Sequence, residues 1–187
     1  FFYDDDPDGL CSFLLLRKKA GKGYGIAIKR GIDEETLITR KIAELNPDVI
    51  FFLDKPMLPQ NVIEEFRLPV IWIDHHQPLK IENKNVHYYN PMSEGKGDNR
   101  CTSYWAHRVA EENDWIAAVG IIADWQIPDF LDRFEYKDLI GNPKTPGDAM
   151  FNCEYAVLVK VFSFILKGSV SEVKNNVNVM LKVETPI

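Results

Sequence analysis

The chain opens Phe1-Phe2-Tyr3-Asp4-Asp5-Asp6-Pro7-Asp8-Gly9-Leu10, and no other stretch constrains the fold as strongly. Three consecutive aromatics read as a buried strand, and four carboxylates fall within the next five residues. Leu10, Phe13 and Leu14 then follow at the i, i+3, i+4 spacing of a helix. The acids therefore occupy a strand-to-helix loop, which in an open α/β sheet is the carboxyl edge where ligands bind. Unit charges about 4 Å apart repel by about 4 kcal/mol at an effective dielectric of about 20, so the cluster needs a compensator. Solvent alone is one answer. The alternation of Asp6 and Asp8 around Pro7, directly after an apolar strand, points instead to a divalent metal held by oxygen ligands.

Strand and helix signals alternate down the chain. A helix over 10–20 stops at Gly21-Lys22-Gly23, a strand follows at 24–29, and Asp33 is placed to cap a helix over 34–45. Residues 49–53 and 69–73 are apolar strands ending at Asp54 and at Asp74-His75-His76, with a short helix at 60–66 between them. A fifth strand at 86–89, a Gly/Asp/Asn-rich loop over 93–100 and helices over 102–113 and 115–123 come next. Residues 129–149 predict loop with short helical pieces. The apolar run 154–166 predicts a buried helix, and Ser169-Val170-Ser171-Glu172 fits a capping box that opens another. Strands separated by helices of about 10–15 residues make βαβ units. The expected fold class is α/β: a Rossmann-like, parallel five-stranded sheet flanked by helices, with a core over 1–130 and a helical extension over 131–187.

A length of 187 residues suits one domain with such an appendage. No apolar run reaches the roughly 18 residues of a membrane span, and the acidic opening is unlike a signal peptide, so no membrane partner is expected. Cys11, Cys101 and Cys153 are odd in number and form no close pair, which argues for a reducing, cytoplasmic setting rather than disulfides or a zinc site. The net charge of −6 is unlike that of a protein coating duplex nucleic acid. The chain begins inside a strand without an initiator Met and is expected to be part of a longer protein.

Three of the strands end in acid: the first at Asp4 to Asp8, the third at Asp54, the fourth at Asp74-His75-His76. A lone strand-end Asp is usually a cap, and a lone His pair is usually surface. In a parallel sheet, however, all three ends share one edge, which is how a fold gathers metal ligands that are distant in sequence.

These motifs resemble those of the DHH phosphoesterases. Asp74-His75-His76 after Val70-Ile71-Trp72-Ile73 is similar to the family's signature, Asp6-Pro7-Asp8-Gly9-Leu10 to its first motif, Asp54 after Phe51-Phe52-Leu53 to its second, and Gly120-Ile121-Ile122-Ala123-Asp124 to its fourth. They come in family order over residues 4–124. The opening, with Asp where other members begin on His, resembles the RecJ-like nucleases more than the pyrophosphatase branch. The family's Gly- and His-rich C-terminal substrate-binding lobe is not recognisable here.

The resemblance implies two metal ions, usually manganese, with magnesium as the alternative. Ions about 3.5–4 Å apart would clamp the oxygens of a phosphoryl displacement and acidify a water. By that pattern Asp6 holds one ion with Asp4 as helper, Asp54 bridges, and Asp8, His75 and Asp124 hold the second. Asp74 orients a histidine ring, and His76 acts on the phosphate as hydrogen-bond donor or acid. Successive residues leaving a strand point different ways, so the two imidazoles are not expected at one ion. Asp5 is an extra acid expected to face solvent. Arg100, Thr102 and Ser103 lead into a helix whose N-terminus offers a place for a phosphate oxygen, or Thr102 and Ser103 simply cap that helix. His87 and His107 read as structural, Cys11, Trp72, Trp105 and Trp115 as core, and Trp125, following Asp124, as the tryptophan placed to face the cleft.

The implied activity is a manganese-dependent exonuclease or phosphodiesterase acting on single-stranded DNA, RNA or short oligonucleotides, with replication or repair proteins as partners. A phosphoesterase for small substrates (cyclic dinucleotide, polyphosphate or pyrophosphate) and a non-catalytic replication scaffold are the other classes. The scaffold is disfavoured because each ligand position holds a competent residue.

Overall fold

The computed structural model describes every residue except Arg30 and Lys96, with Glu94 described by its backbone alone. Five strands form one all-parallel sheet: β1 (Phe2–Asp4), β2 (Ile26–Ile28), β3 (Ile50–Leu53), β4 (Val70–Ile73) and β5 (Val86–Tyr89), in the order β2-β1-β3-β4-β5. The helices are α1 (Pro7–Ala20), α2 (Glu34–Leu45), α3 (Gln60–Glu65), α4 (Thr102–Ala110), α5 (Asp114–Ala123), α6 (Lys137–Ile140), α7 (Pro146–Phe151), α8 (Ala156–Ile165) and α9 (Val170–Met180). None of them is long and apolar enough to cross a membrane.

The period of two along each strand builds two cores. Tyr3, Leu53 and Ile73 face one side, where α1, α4 and α5 pack; Phe2, Phe52 and Trp72 face the other, where Ile38 of α2 and Val62 and Ile63 of α3 cover them. Aromatic stacking ties neighbouring strands together, with Phe2 on Phe52 at 5.1 Å and Trp72 against Tyr88 at 5.1 Å.

Several expected boundaries shift for local reasons. α1 starts at Pro7, not at residue 10, because Asp6 caps it and Pro7 fills the first-turn position that needs no N–H. Asp8 is thus in the first turn of a helix rather than in a loop. α4 stops at Ala110 because Glu111 and Asn113 both adopt left-handed backbone, with φ of 58° and 61°. The run 154–166 is helical, but amphipathic rather than buried: Ala156, Val159 and Phe162 face the core while Val157, Val161 and Phe164 are exposed. The caps expected at Asp33 and Ser169 are present.

Two glycines let the helices close on the sheet edge. A Cβ on Gly9 would lie 2.7 Å from the Asp4 carbonyl oxygen, and one on Gly120 would lie 2.7 Å from Ser103 Cβ and 2.8 Å from Cys11 Cβ. Gly120→Ala is therefore expected to cost about 1–3 kcal/mol through overpacking. For a chain of this size that is a fall in Tm of roughly 2–12 °C. Thermal denaturation followed by circular dichroism checks it, and an unchanged melt would show that α1, α4 and α5 can part freely.

Candidate metal centre

The chain leaves β1 for β2 on one side and returns through β3 on the other, so the topological switch point lies between β1 and β3. Asp4 to Asp8 and Asp54 flank it. The register places Asp54 and Asp74 at the ends of neighbouring strands: the Asp54 N–H donates to the Ile73 carbonyl at 2.9 Å and the Asp74 N–H to the Tyr89 carbonyl at 3.1 Å.

The structure brings Asp6, Asp8, Asp54, His75 and Asp124 together. Asp6 accepts from the Gly9 N–H at 2.9 Å. Asp8, buried, accepts from the N–H groups of Thr102 at 2.9 Å and Ser103 at 2.8 Å. Asp54, also buried, accepts from Thr102 Oγ1 at 3.0 Å and holds a φ of 60°, a left-handed turn that swings its carboxylate off the strand end. Asp124 ends α5. His75 Nε2 sits among three of these carboxylates, 3.5 Å from Asp54, 3.9 Å from Asp8 and 3.9 Å from Asp124.

Other expected residues lie elsewhere or have other work. The Asp4 carboxylate meets Lys55 Nζ at 3.1 Å, and Lys55 meets Glu34 at the same distance, so Asp4 is held in an ion pair rather than turned to the cluster. Asp5 is half-buried and its Oδ1 is buried, which corrects the expectation that it faces solvent. The N-terminus of α4 does bind an anion, but that anion is Asp8. Thr102 and Ser103 are fully buried around it, so neither offers a phosphate its hydroxyl. Arg100 stands apart, 4.2 Å over the Tyr104 ring and 5.0 Å over Trp105, and engages Asp98 at 3.0 Å and Asp129 at 3.6 Å.

His75 and His76 do not diverge. Their ring centroids are 4.6 Å apart, and His76 Nδ1 lies 3.9 Å from Asp54 Oδ1. Past Asp74 the chain has left the strand, so the alternation of a pleat no longer applies. Asp74, fully buried, accepts from the His76 N–H at 3.1 Å and pairs with His76 Nδ1 at 2.7 Å. That contact leaves Nε2 of His76 directed away from Asp74. Asn90 completes the set, donating to Asp74 at 3.4 Å and to the His76 carbonyl at 2.8 Å.

Burial and mutual repulsion set the charge of the cluster. Burial first, then Asp8, pushes the Asp6 carboxyl up. Burial, then Asp8 and Asp6, pushes Asp54 well up, and the same causes raise Asp124 to about 7. The hydrogen bond to Asp74 raises His76, outweighing its burial. Lys55, a buried cation directly after Asp54, is committed to Asp4 and Glu34. Carboxylates crowded in this way, with an imidazole among them, fit a divalent cation. Among the described residues, two groups with no member in common, Asp54-His75-His76 and Asp8-Cys101-Asp124, each offer ligand atoms within 4.8 Å of one another.

Lys55, Asn90 and Cys101 are the residues that the motifs did not single out. Lys55 was visible as a lone cation directly after the strand-end Asp54, and Asn90 as the polar residue ending β5 in line with Asp54 and Asp74. Cys101 carries no such signal. Its thiol is pushed up by burial, then by Asp8, and remains protonated.

No protein-family model matches the chain, and no curated protein matches it in sequence. Solved structures do. RecJ from Thermus thermophilus in complex with Mn2+ is 17% identical with a TM-score of 0.54, covering 96% of this chain and 33% of that one. An exonuclease RecJ bound to manganese is 17% identical with a TM-score of 0.51, covering 96% of this chain and 58% of that one. CDC45 from Entamoeba histolytica is 16% identical with a TM-score of 0.48, covering 97% of this chain and 52% of that one. The chain has a RecJ-like α/β fold over nearly its whole length, whereas the motifs pointed to it only over residues 4–124, and it spans a third of the first RecJ chain and less than two thirds of the second.

Proposed function

We propose that the chain is the catalytic core of a DHH-type, manganese-dependent phosphodiesterase that cleaves single-stranded nucleic acid or short oligonucleotides. The observation that carries this reading is His75 Nε2 lying within 3.5–3.9 Å of three strand- and helix-end carboxylates at the switch point of the sheet. The RecJ-like fold supports it, and both RecJ structures are described with manganese.

Asp6, Asp8, Asp54, His75 and Asp124 would hold two ions, with Asp54 between them. The ions would supply charge neutralisation at the phosphate and a water acidified towards neutral pH. The remaining chemistry belongs to the side chains. Asp8, fixed by two α4 N–H groups, and Asp54, fixed by Thr102, keep their carboxylates in place without reorganisation. His76, held as a cation by Asp74, offers Nε2 to the leaving oxygen.

The test is hydrolysis of a single-stranded oligonucleotide, pyrophosphate and a cyclic dinucleotide in manganese, in magnesium and in chelator. The oligonucleotide is expected to be cut fastest, in manganese, with no cleavage in chelator or by Asp54→Ala. Faster turnover of pyrophosphate or the cyclic dinucleotide would move the site to small phosphates. Metal binding with no hydrolysis of any substrate would favour the scaffold class. Replication or repair proteins remain the partners this reading implies.

A further inference from the structure

Trp125 directly follows Asp124, yet nothing in the metal centre uses it. It is 57% exposed, so burial of its ring contributes little to the fold. Its φ is 58°, a left-handed conformation that bulky residues rarely adopt. The Trp125 N–H donates to the Ile122 carbonyl at 3.1 Å and the Gln126 N–H to the Ile121 carbonyl at 3.0 Å, so the turn is fixed on both sides. Gln126 donates to Asp124 at 3.2 Å and accepts from the Cys101 N–H at 3.2 Å, which ties the turn to the metal centre. The ring packs edge-on against Phe151 of α7, with centroids 5.7 Å apart, and Phe151 is itself 60% exposed. Trp125, one residue from a candidate metal ligand, is therefore held in open solvent by a left-handed backbone, with the exposed Phe151 ring beside it.

We propose that Trp125, braced by Phe151, is the stacking platform for the nucleobase of the nucleotide whose phosphate lies at the carboxylate cluster. This rests on the phosphodiesterase reading for the position of the phosphate. Aromatic faces stack on any base, so the platform confers a requirement for a base without sequence preference. Within a duplex the faces of a base are covered by its neighbours, so a platform of this kind selects unpaired nucleotides. It also gives an acidic chain a source of affinity that needs no cationic groove.

The experiment compares two phosphorothioate-linked pentamers, one of thymidine and one abasic, binding to the whole chain in manganese by fluorescence anisotropy. Hydrolysis of the natural thymidine pentamer is followed in parallel. Wild type is expected to prefer the thymidine pentamer, and Trp125→Ala to weaken its binding roughly five- to hundredfold while the abasic pentamer changes little. Trp125→Phe should retain most of the preference, and Phe151→Ala should lose part of it. An unchanged preference in Trp125→Ala, or none in wild type, would overturn the platform while leaving hydrolysis by wild type to support the phosphodiesterase. Loss of the preference in Trp125→Ala with no hydrolysis by wild type would keep the platform and remove the catalytic reading. Trp125→Ala should melt with wild type. A large fall in its Tm would make the ring a packing residue and overturn the proposal.

Discussion

Asp54→Asn is expected to melt above wild type in chelator and below it in manganese. Without metal, Asp54 is a buried carboxyl whose ionisation is opposed by burial, by Asp8 and by Asp6. Asparagine has the same shape, accepts the same hydrogen bond from Thr102, and tolerates the left-handed backbone at least as well. Removing the ionisable group should stabilise the metal-free chain by about 1–3 kcal/mol, the range for a buried polar group whose burial is incompletely compensated. With manganese the sign reverses. Wild type gains about 2.7 kcal/mol at a metal concentration a hundredfold above Kd, or about 5–11 °C in Tm. The variant, lacking the central ligand, should gain little and hydrolyse nothing. Equal metal-induced shifts in the two proteins would remove Asp54 from the site.

The same groups fix the pH dependence. Asp6, Asp54 and Asp124 hold protons more tightly folded than unfolded, where a carboxyl titrates near about 3.9. The folded state therefore binds more protons, and stability falls as pH rises. The window opens at about pH 4 and extends through about 7, the value to which Asp124 is raised. The carboxylates held low, such as Asp33, Asp98 and Asp148, give the opposite slope, but only below about pH 4. Melting of the metal-free chain should thus decline from about pH 4 to about 7, less steeply in Asp54→Asn, and saturating manganese should invert the slope by favouring the ionised forms. A metal-free profile that rises over that window would mean the carboxylates are already paired with cations.

How far the sequence revealed this depends on the distance over which each determinant acts. The central strands were legible because Phe2, Phe52 and Trp72 face one core and Tyr3, Leu53 and Ile73 the other, leaving β1, β3 and β4 apolar on both sides. The acids at their ends were legible because a parallel sheet places all such ends on one edge. Local hydrogen bonds were legible as well: Asp33 and Ser169 cap helices through contacts three residues away. What could not be read were the long-range partners. Lys55 draws Asp4 out of the cluster across 51 residues of chain, and Thr102 and Ser103 meet Asp8 across 94 and 95. The sequence offered the helix N-terminus to a phosphate oxygen; that its N–H groups meet Asp8 instead depended on how α1 packs on α4. Gly120, which has no Cβ to separate α5 from Ser103 and Cys11, permits that approach. The directions of His75 and His76 depended on the chain path after Asp74, which periodicity does not describe.

On the phosphodiesterase reading His75 binds metal while the neighbouring His76 acts on the phosphate, and His76→Ala should test that division. His75 faces Asp8, Asp54 and Asp124, so His75→Ala is expected to lose metal and activity together. His76 has its Nδ1 committed to Asp74 at 2.7 Å, is 43% exposed, and is raised in pKa by that partner, which favours the doubly protonated ring that the proposed acid role needs at Nε2. A positioned general acid contributes about 10²–10⁴ in rate. His76→Ala should therefore keep its metal, by elemental analysis, and lose roughly a hundredfold in kcat with little change in KM, the pattern of a group that acts in the transition state. Asp74→Asn gives the sharper test, because it leaves the imidazole in place. Without the buried carboxylate the His76 pKa falls, the acid form is lost at lower pH, and the alkaline limb of kcat should move to lower pH. An unmoved limb would mean that Asp74 only positions the ring. Loss of metal in His76→Ala, with His75→Ala still loaded, would exchange the roles of the two histidines.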